Sequence, residues 1–271
     1  MKNLLLLSLF IVVISCQKSN MAVSPTSKCY MTKITYTTKT TVPVQTNSYF
    51  FKIEYDVNDK ISKVSNANFV VLYTYDKNKV IIKNYDVVNG KNVLKSTDTI
   101  TLNDKGQITQ TITDNEIEKK SPNHVPSTID YEYNDKGFVS KSIIQKFSFS
   151  YIYEYNTAGL PSKNSSYIFS QVRNELEYYD EYKPVDFPSL ETLYDYKSVG
   201  GYNKIPYNKL IKSIKYYEQN TLRKESNFTY SVFSDSKKVK SITQTDYNYT
   251  SAGVKINTPT TSIQEFEYQC K

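Results

Sequence analysis

The chain has 271 residues with 34 basic and 27 acidic side chains, a formal charge of +7, and room for one large β domain or two small ones. Its 39% hydrophobic content includes 26 Tyr; counting Tyr out and Gly in leaves roughly 32%, against about 45–50% in an average domain. That argues against a thick aliphatic core, so tyrosine rings must supply much of the buried area. The dispersed lysines argue against a nucleic-acid surface, which clusters its bases on one element.

Met1-Lys2-Asn3 is a short basic lead, and Leu4 to Ile14 is an apolar run broken by Ser8. As a helix that run rises about 16 Å, well short of a bilayer core of about 30 Å. It therefore predicts a signal segment over 1–15 and not a membrane span. The run closes on Val13-Ile14-Ser15-Cys16, which looks like a lipobox. Cys16 is then expected to take a diacylglyceryl thioether through its thiolate and to become the first mature residue. Residues 16–28 form the acylated cysteine and a polar tether, and 29–271 the β domain. The expected setting is the outer membrane, lipid-anchored, on its periplasmic face or at the cell surface.

With Cys16 acylated, Cys29 and Cys270 remain, at the two ends of the mature domain in a compartment where disulfides persist. A disulfide between them is the favoured reading, and two buried thiols the alternative. Two cysteines and the lone His124 cannot fill a structural zinc sphere, so no metal site is expected.

One unit recurs along the domain: apolar, any residue, Tyr, Asp or Asn, a few polar residues, often Gly, then an alternating strand. It is found at Ile53-Glu54-Tyr55-Asp56, Tyr73-Thr74-Tyr75-Asp76, Tyr131-Glu132-Tyr133-Asn134-Asp135-Lys136-Gly137 and Tyr153-Glu154-Tyr155-Asn156-Thr157-Ala158-Gly159. Ile100-Thr101-Leu102-Asn103 replaces Tyr with Leu, and Phe228-Thr229-Tyr230 is a degenerate copy. Tyr at i and i+2 shares one strand face, Asp or Asn opens a turn, and Gly supplies positive φ. Each unit is a predicted β-hairpin, and successive hairpins a meander.

Phe147 to Tyr155 is read as the most regular strand, with Phe147, Phe149, Tyr151, Tyr153 and Tyr155 on one face. That face is either core or a candidate binding platform. Alternation fades from 170 to 207, where helical spacing after Pro188 predicts a short helical insertion near 187–199. Strands are expected again over 209–217, 227–233, 238–249 and 261–269.

The Tyr-Asp/Asn-x-x-Gly hairpin resembles the YD repeats of bacterial shell-forming proteins. Together with the lipobox, a late Gly200-Gly201-Tyr202-Asn203-Lys204 and the terminal Tyr268-Gln269-Cys270, it is similar to Bacteroidota lipoproteins with YD-like repeats. The resemblance implies an open, curved antiparallel β-meander at the cell envelope and carries no established activity. It departs from the YD pattern at Gln107, Phe138 and Leu160, where a basic residue is usual.

No nucleophile elbow, zinc-helix motif, phosphate loop or C-x-x-C is found. His124, between prolines, reads as a solvated imidazole. Glu175, Glu177, Asp180 and Glu181 could serve a glycosidase or Ca²⁺, yet their spacing fits no calcium loop. The expectation is a non-catalytic binding or scaffold module without cofactor, offering its tyrosine-rich sheet to a glycan, peptide or envelope partner. A carboxylate hydrolase of polysaccharide and a periplasmic acyl carrier are the alternatives.

Overall fold

The computed structural model describes residues 29–41, 44–167, 171–180, 209–234, 238–256 and 258–270. The signal segment, the tether, Glu181 and the expected helix near 187–199 lie outside them. Sixteen strands pair with their sequence neighbours, and the first pairs with the last, so the sheet is a closed antiparallel barrel. The expected meander is present; its expected open edge is not. Ten register pairs between Cys29–Thr41 (β1) and Thr260–Cys270 (β16) close it.

The other strands are Val44–Tyr55 (β2), Ile61–Ser65 (β3), Phe69–Asp76 (β4), Lys79–Val88 (β5), Lys91–Leu102 (β6), Ile108–Asn115 (β7) and Ser127–Tyr133 (β8). They continue as Val139–Ile144 (β9), Phe149–Tyr155 (β10), Pro161–Tyr167 (β11), Gln171–Tyr178 (β12), Ile211–Glu218 (β13), Thr221–Val232 (β14) and Val239–Asn248 (β15). The barrel has two ends. At the base, even-numbered strands turn into odd-numbered ones; at the rim, odd turn into even. Cys29 and Cys270 are bonded at the base, where the β16–β1 junction has a disulfide in place of a turn.

The base turns follow the chemistry read from the repeat. Asn103 Oδ1 accepts the amides of Lys105 and Gln107, and Asn134 Oδ1 those of Lys136 and Phe138. Gly106 (φ 71°) and Gly137 (φ 79°) then take the left-handed conformation that reverses the chain. Asp56 works the same way, with Asp59 at φ 62° in the glycine position.

The register explains why the repeat uses tyrosine. The ladder slips by one residue at most base junctions, as between Glu54 and Tyr55 opposite β3 and between Glu132 and Tyr133 opposite β9. A bulge of this kind disrupts the local ladder at the start of the odd strand. In each such strand the first inward residue has its carbonyl taken by the last inward tyrosine of the following even strand. Tyr55 donates to Met31, Tyr75 to Ile61, Tyr133 to Ile108 and Tyr155 to Val139. Tyr178 donates to Pro161, Tyr230 to Ile211 and Tyr268 to Val239. The β4–β5 junction alone is in register, and β6 ends in Leu102 instead of Tyr. Where the ladder has no slip, the hydroxyl is dispensed with.

Above this tyrosine ring the interior is apolar and closely packed by Ile34, Ile53, Val71, Ile82, Ile100, Phe228, Ile242 and Phe266, among others. The outer wall is charged. The residue before the terminal tyrosine points outward, and several form cross-strand ion pairs. These include Glu54 with Lys63 at 2.8 Å, Glu154 with Lys163 at 2.7 Å, and Glu177 with Lys215 at 3.1 Å. Glu267 with Lys33 at 2.5 Å continues the band across the closure. A barrel that spans a bilayer has the opposite arrangement, an apolar band outside and a polar interior.

Candidate functional site

The interior changes character with height. Just above the half-buried tyrosine ring of the base, its side chains are apolar and buried. At mid-height they are buried but polar: Asn84, Ser96, Asp98, Ser142, Ser166, Ser226, Gln244 and Gln264. Toward the rim they become half-exposed, reaching 50% exposure at Tyr49. Strand alternation places all these residues inward, in line with the core side chains below them.

The aromatic face read from sequence is largely on this inner wall. Phe149, Tyr151, Tyr153 and Tyr155 are half-buried and inward, with Phe149 edge-on to Tyr151 at 5.4 Å. Tyr155 belongs to the tyrosine ring of the base, and the Tyr153 hydroxyl lies 3.5 Å from Ser142 Oγ. Phe147 is a correction. It ends a single 3-10 turn, Gln145–Phe147, and stands 62% exposed at the rim. Ser148 takes a left-handed φ of 52° between that turn and the strand, so the alternation begins at Phe149.

A second aromatic group was missed in the sequence. Tyr36 stacks on Tyr49 with centroids 5.3 Å apart and planes 8° from parallel. Phe51 meets both edge-on and reaches Phe69 at 5.2 Å. The signal was present as Tyr49, Phe51, Ile53 and Tyr55 at alternate positions. Because β2 and β10 stand eight places apart in the cycle of sixteen, the two aromatic groups occupy opposite walls.

Two polar networks flank these groups. Asn84 Nδ2 donates to Ser96 Oγ at 3.1 Å and to Asp98 Oδ2 at 2.8 Å, and Thr113 donates to Asp98 Oδ1 at 2.5 Å. On β14 and β15, Ser226 and Gln244 donate to Asp246 Oδ1 at 2.6 and 2.8 Å, and Lys224 Nζ is 2.9 Å from Asp246 Oδ2. Two buried side-chain carbonyls, Asn84 Oδ1 and Gln264 Oε1, accept no hydrogen bond.

The acidic stretch does not form a paired-carboxylate site. Glu175 and Glu177 lie on the outer face of β12, against Arg173 at 2.9 Å and Lys215 at 3.1 Å. The Lys215 ammonium holds the Glu177 carboxyl below its usual range. Asp180 is exposed beside Lys209 at 3.2 Å. A cleft of about 470 Å³ at the base is lined by Leu160, Leu176, Tyr178 and Lys212, among others. His124 is less solvated than expected: Nε2 sits 2.8 Å from Asp114 Oδ1, and the side chain is 12% exposed. Hydrogen bonds from Lys119 and then His124 lower the Asp114 pKa. Among the described residues no group of three His, Cys, Asp or Glu is placed to hold a metal.

No family model matches the sequence, and a search of curated proteins finds no relative. The chain is similar in fold to a porin-like protein from Bacteroides uniformis, with a TM-score of 0.62 and 13% identity over 88% of this chain and 98% of that one. A porin-like protein from Bacteroides vulgatus matches at a TM-score of 0.46 and 11% identity, over 89% and 99% of the two chains. The first likeness establishes a shared barrel architecture; the second is too distant to add to it.

Proposed function

We propose that this chain is a non-catalytic envelope lipoprotein, of the Bacteroidota type with YD-like hairpins, tethered through Cys16 at the outer membrane. Its barrel interior, approached from the rim, is the binding surface for a glycan, peptide or envelope partner. One observation carries the reading: the inner wall passes from packed apolar side chains at the base to polar and aromatic ones at the rim, while the outer wall carries Lys–Glu pairs. A side chain at the rim can meet solvent or a ligand; one at the base meets only its neighbours. The outward, ion-paired placement of Glu175 and Glu177 removes the motive for a hydrolase. Dense packing of the lower interior does the same for an acyl carrier.

The test uses the mature lipoprotein in mild detergent, melted alone and with saccharide and peptide fractions of an envelope extract. A ligand that binds the native barrel raises Tm by mass action. A rise abolished by Tyr151→Ala or Tyr49→Ala is the expected result. No rise with any fraction, or turnover of a fraction into new products, would overturn the reading. Release of a Cys16→Ser variant from the membrane is the matching result for the anchor.

A further inference from the structure

We propose that the arc of inner wall running from β16 through β1, β2, β3 and β4 to β5 is a seat for a neutral saccharide, with Gln264 and Asn84 as its hydrogen-bonding ends and Tyr36, Tyr49, Phe51 and Phe69 as its aromatic wall. The proposal rests on the interior being the binding surface and names the ligand class and the residues that select it.

The argument starts from what the fold leaves unsatisfied. Gln264 is 2% exposed and Asn84 8%, and the side-chain carbonyl of each is buried without a donor. A buried acceptor in that state carries most of its desolvation cost, so a donor that reaches it once the side chain turns toward the lumen gains more than an ordinary surface hydrogen bond would. The Asn84 amide nitrogen is already committed, to Ser96 and Asp98. What remains at both ends is a neutral acceptor that calls for a hydroxyl or amide donor.

Register places the rings between these two ends. Gln264 is the direct cross-strand partner of Tyr36, and Tyr36 is in turn the partner of Tyr49, so all three share the inner face. Phe51 and Phe69 extend the wall toward β5 through their 5.2 Å contact. Tyr49 is half-exposed, so a ligand entering from the rim meets this part of the wall first.

Charge decides between ligand classes. Inside the barrel, Asp246 is in contact with Lys224 at 2.9 Å and takes donors from Ser226 and Gln244. Asp98 takes donors from Asn84 and Thr113. Nearer the rim Asp86, the cross-strand partner of Phe69, lies 3.4 Å from the Lys95 ammonium. With these carboxylates engaged, the acceptors that lack donors are neutral, which disfavours an ionic ligand. An extended peptide recognises a free strand edge through its backbone, whereas this inner face offers side chains alone. A saccharide ring has apolar C–H faces for aromatic packing and a periphery of hydroxyl donors for the two carbonyls, which matches an aromatic wall ending in two acceptors.

The experiment is calorimetry and thermal melting of the mature lipoprotein with maltohexaose, cellohexaose, laminarihexaose, xylohexaose and mannohexaose. At least one is expected to bind and raise Tm. Gln264→Leu and Tyr49→Ala should each weaken that binding at least tenfold while the far-UV spectrum is retained. Tyr49 is half-exposed, so its variant tests the seat even where Gln264→Leu perturbs the core. No binding across the panel overturns the proposal. So does binding that survives both substitutions, the result expected if the Gln264 carbonyl holds only a buried water. If the saccharides fail but an envelope peptide fraction raises Tm in a Tyr151-dependent way, the saccharide seat falls and the interior binding surface stands. If nothing raises Tm, both fall.

Discussion

The Tyr55 hydroxyl donates to the Met31 carbonyl at 2.9 Å, at the residue where the β1 ladder slips against β16. The same relation joins a tyrosine to each odd strand that slips at the base, and it is missing at β5, the strand that does not. Tyrosine therefore has a defined task here: its ring covers the core and its hydroxyl satisfies a carbonyl beside the bulge. Tyr75→Phe and Tyr133→Phe should each cost about 1 to 2 kcal/mol, since the acceptor is left without its donor. Leu102→Tyr should give no gain, because no slip at the base of β5 awaits a donor. Urea unfolding of the three variants checks this; equal effects at all three positions would sink the pairing of bulge and hydroxyl.

The same ring predicts alkaline behaviour. Burial, opposed by the bond to Met31, raises Tyr55 to about 12, and burial raises Tyr133 to about 12 as well. Tyr268 is raised further, again by burial. The unfolded chain loses these protons near pH 10 while the folded chain still holds them. Below pH 10 the contribution to stability is fully present; as pH rises toward 12 it is lost. Absorbance titration should show these tyrosines ionising late and together with unfolding. Ionisation of every tyrosine near pH 10 in a still-folded barrel would contradict the assignment.

The sequence carried the hairpin unit to the level of individual bonds: Asn103 and Asn134 open their turns as their positions implied, and Tyr at i and i+2 faces inward. Closure was not legible, because alternation is the same in an open sheet and in a barrel. It depends on β1 meeting β16, for which the positions of Cys29 and Cys270 were the sole hint. Phe147 obeyed the period of two but not the backbone, since a left-handed Ser148 cannot be read from alternation. The Tyr36–Tyr49 stack joins two strands, and a face read within one strand does not reveal it. The carbonyls of Asn84 and Gln264 stand out only once burial is known.

The Cys29–Cys270 bond joins residues 241 apart in sequence across the closing pair of strands. In the chain-entropy model a loop of that size contributes about 5 kcal/mol, acting on the unfolded state. Nine register pairs besides Cys29–Cys270 hold β1 to β16 independently of the bond. Cys270→Ser should therefore lower Tm clearly while leaving the far-UV spectrum and a cooperative melt intact. A noncooperative melt in the variant would mean that the ladder alone does not close the barrel.

The weakest part of the wall is elsewhere. β3 has four register pairs with β2 and three with β4, whereas β5 and β6 share ten. Local opening follows the number of bonds that must break together. Hydrogen exchange should be fastest along 61–65 and 69–71 and slowest along 80–84 and 96–100. Uniform protection around the barrel would rule out β3 as the place where it opens.

A final prediction separates this barrel from one that crosses a bilayer. The outer wall places Lys33, Lys63, Lys163 and Lys215 opposite glutamates, with the side chains partly exposed. Such surface pairs add little stability in water, but in hydrocarbon a Lys or Arg costs about 2 to 4 kcal/mol at the midplane, and Lys52 and Lys83 stand outward and exposed higher on the wall. Several such side chains around one circumference outweigh any gain from scattered outward apolar residues such as Ile152. The Cys16→Ser chain should therefore stay dispersed in buffer without detergent, remain protease-accessible when mixed with lipid vesicles, and conduct no ions across a planar bilayer. Stable vesicle insertion with protection of the outer wall would mean that the charged band had been assigned to the wrong face.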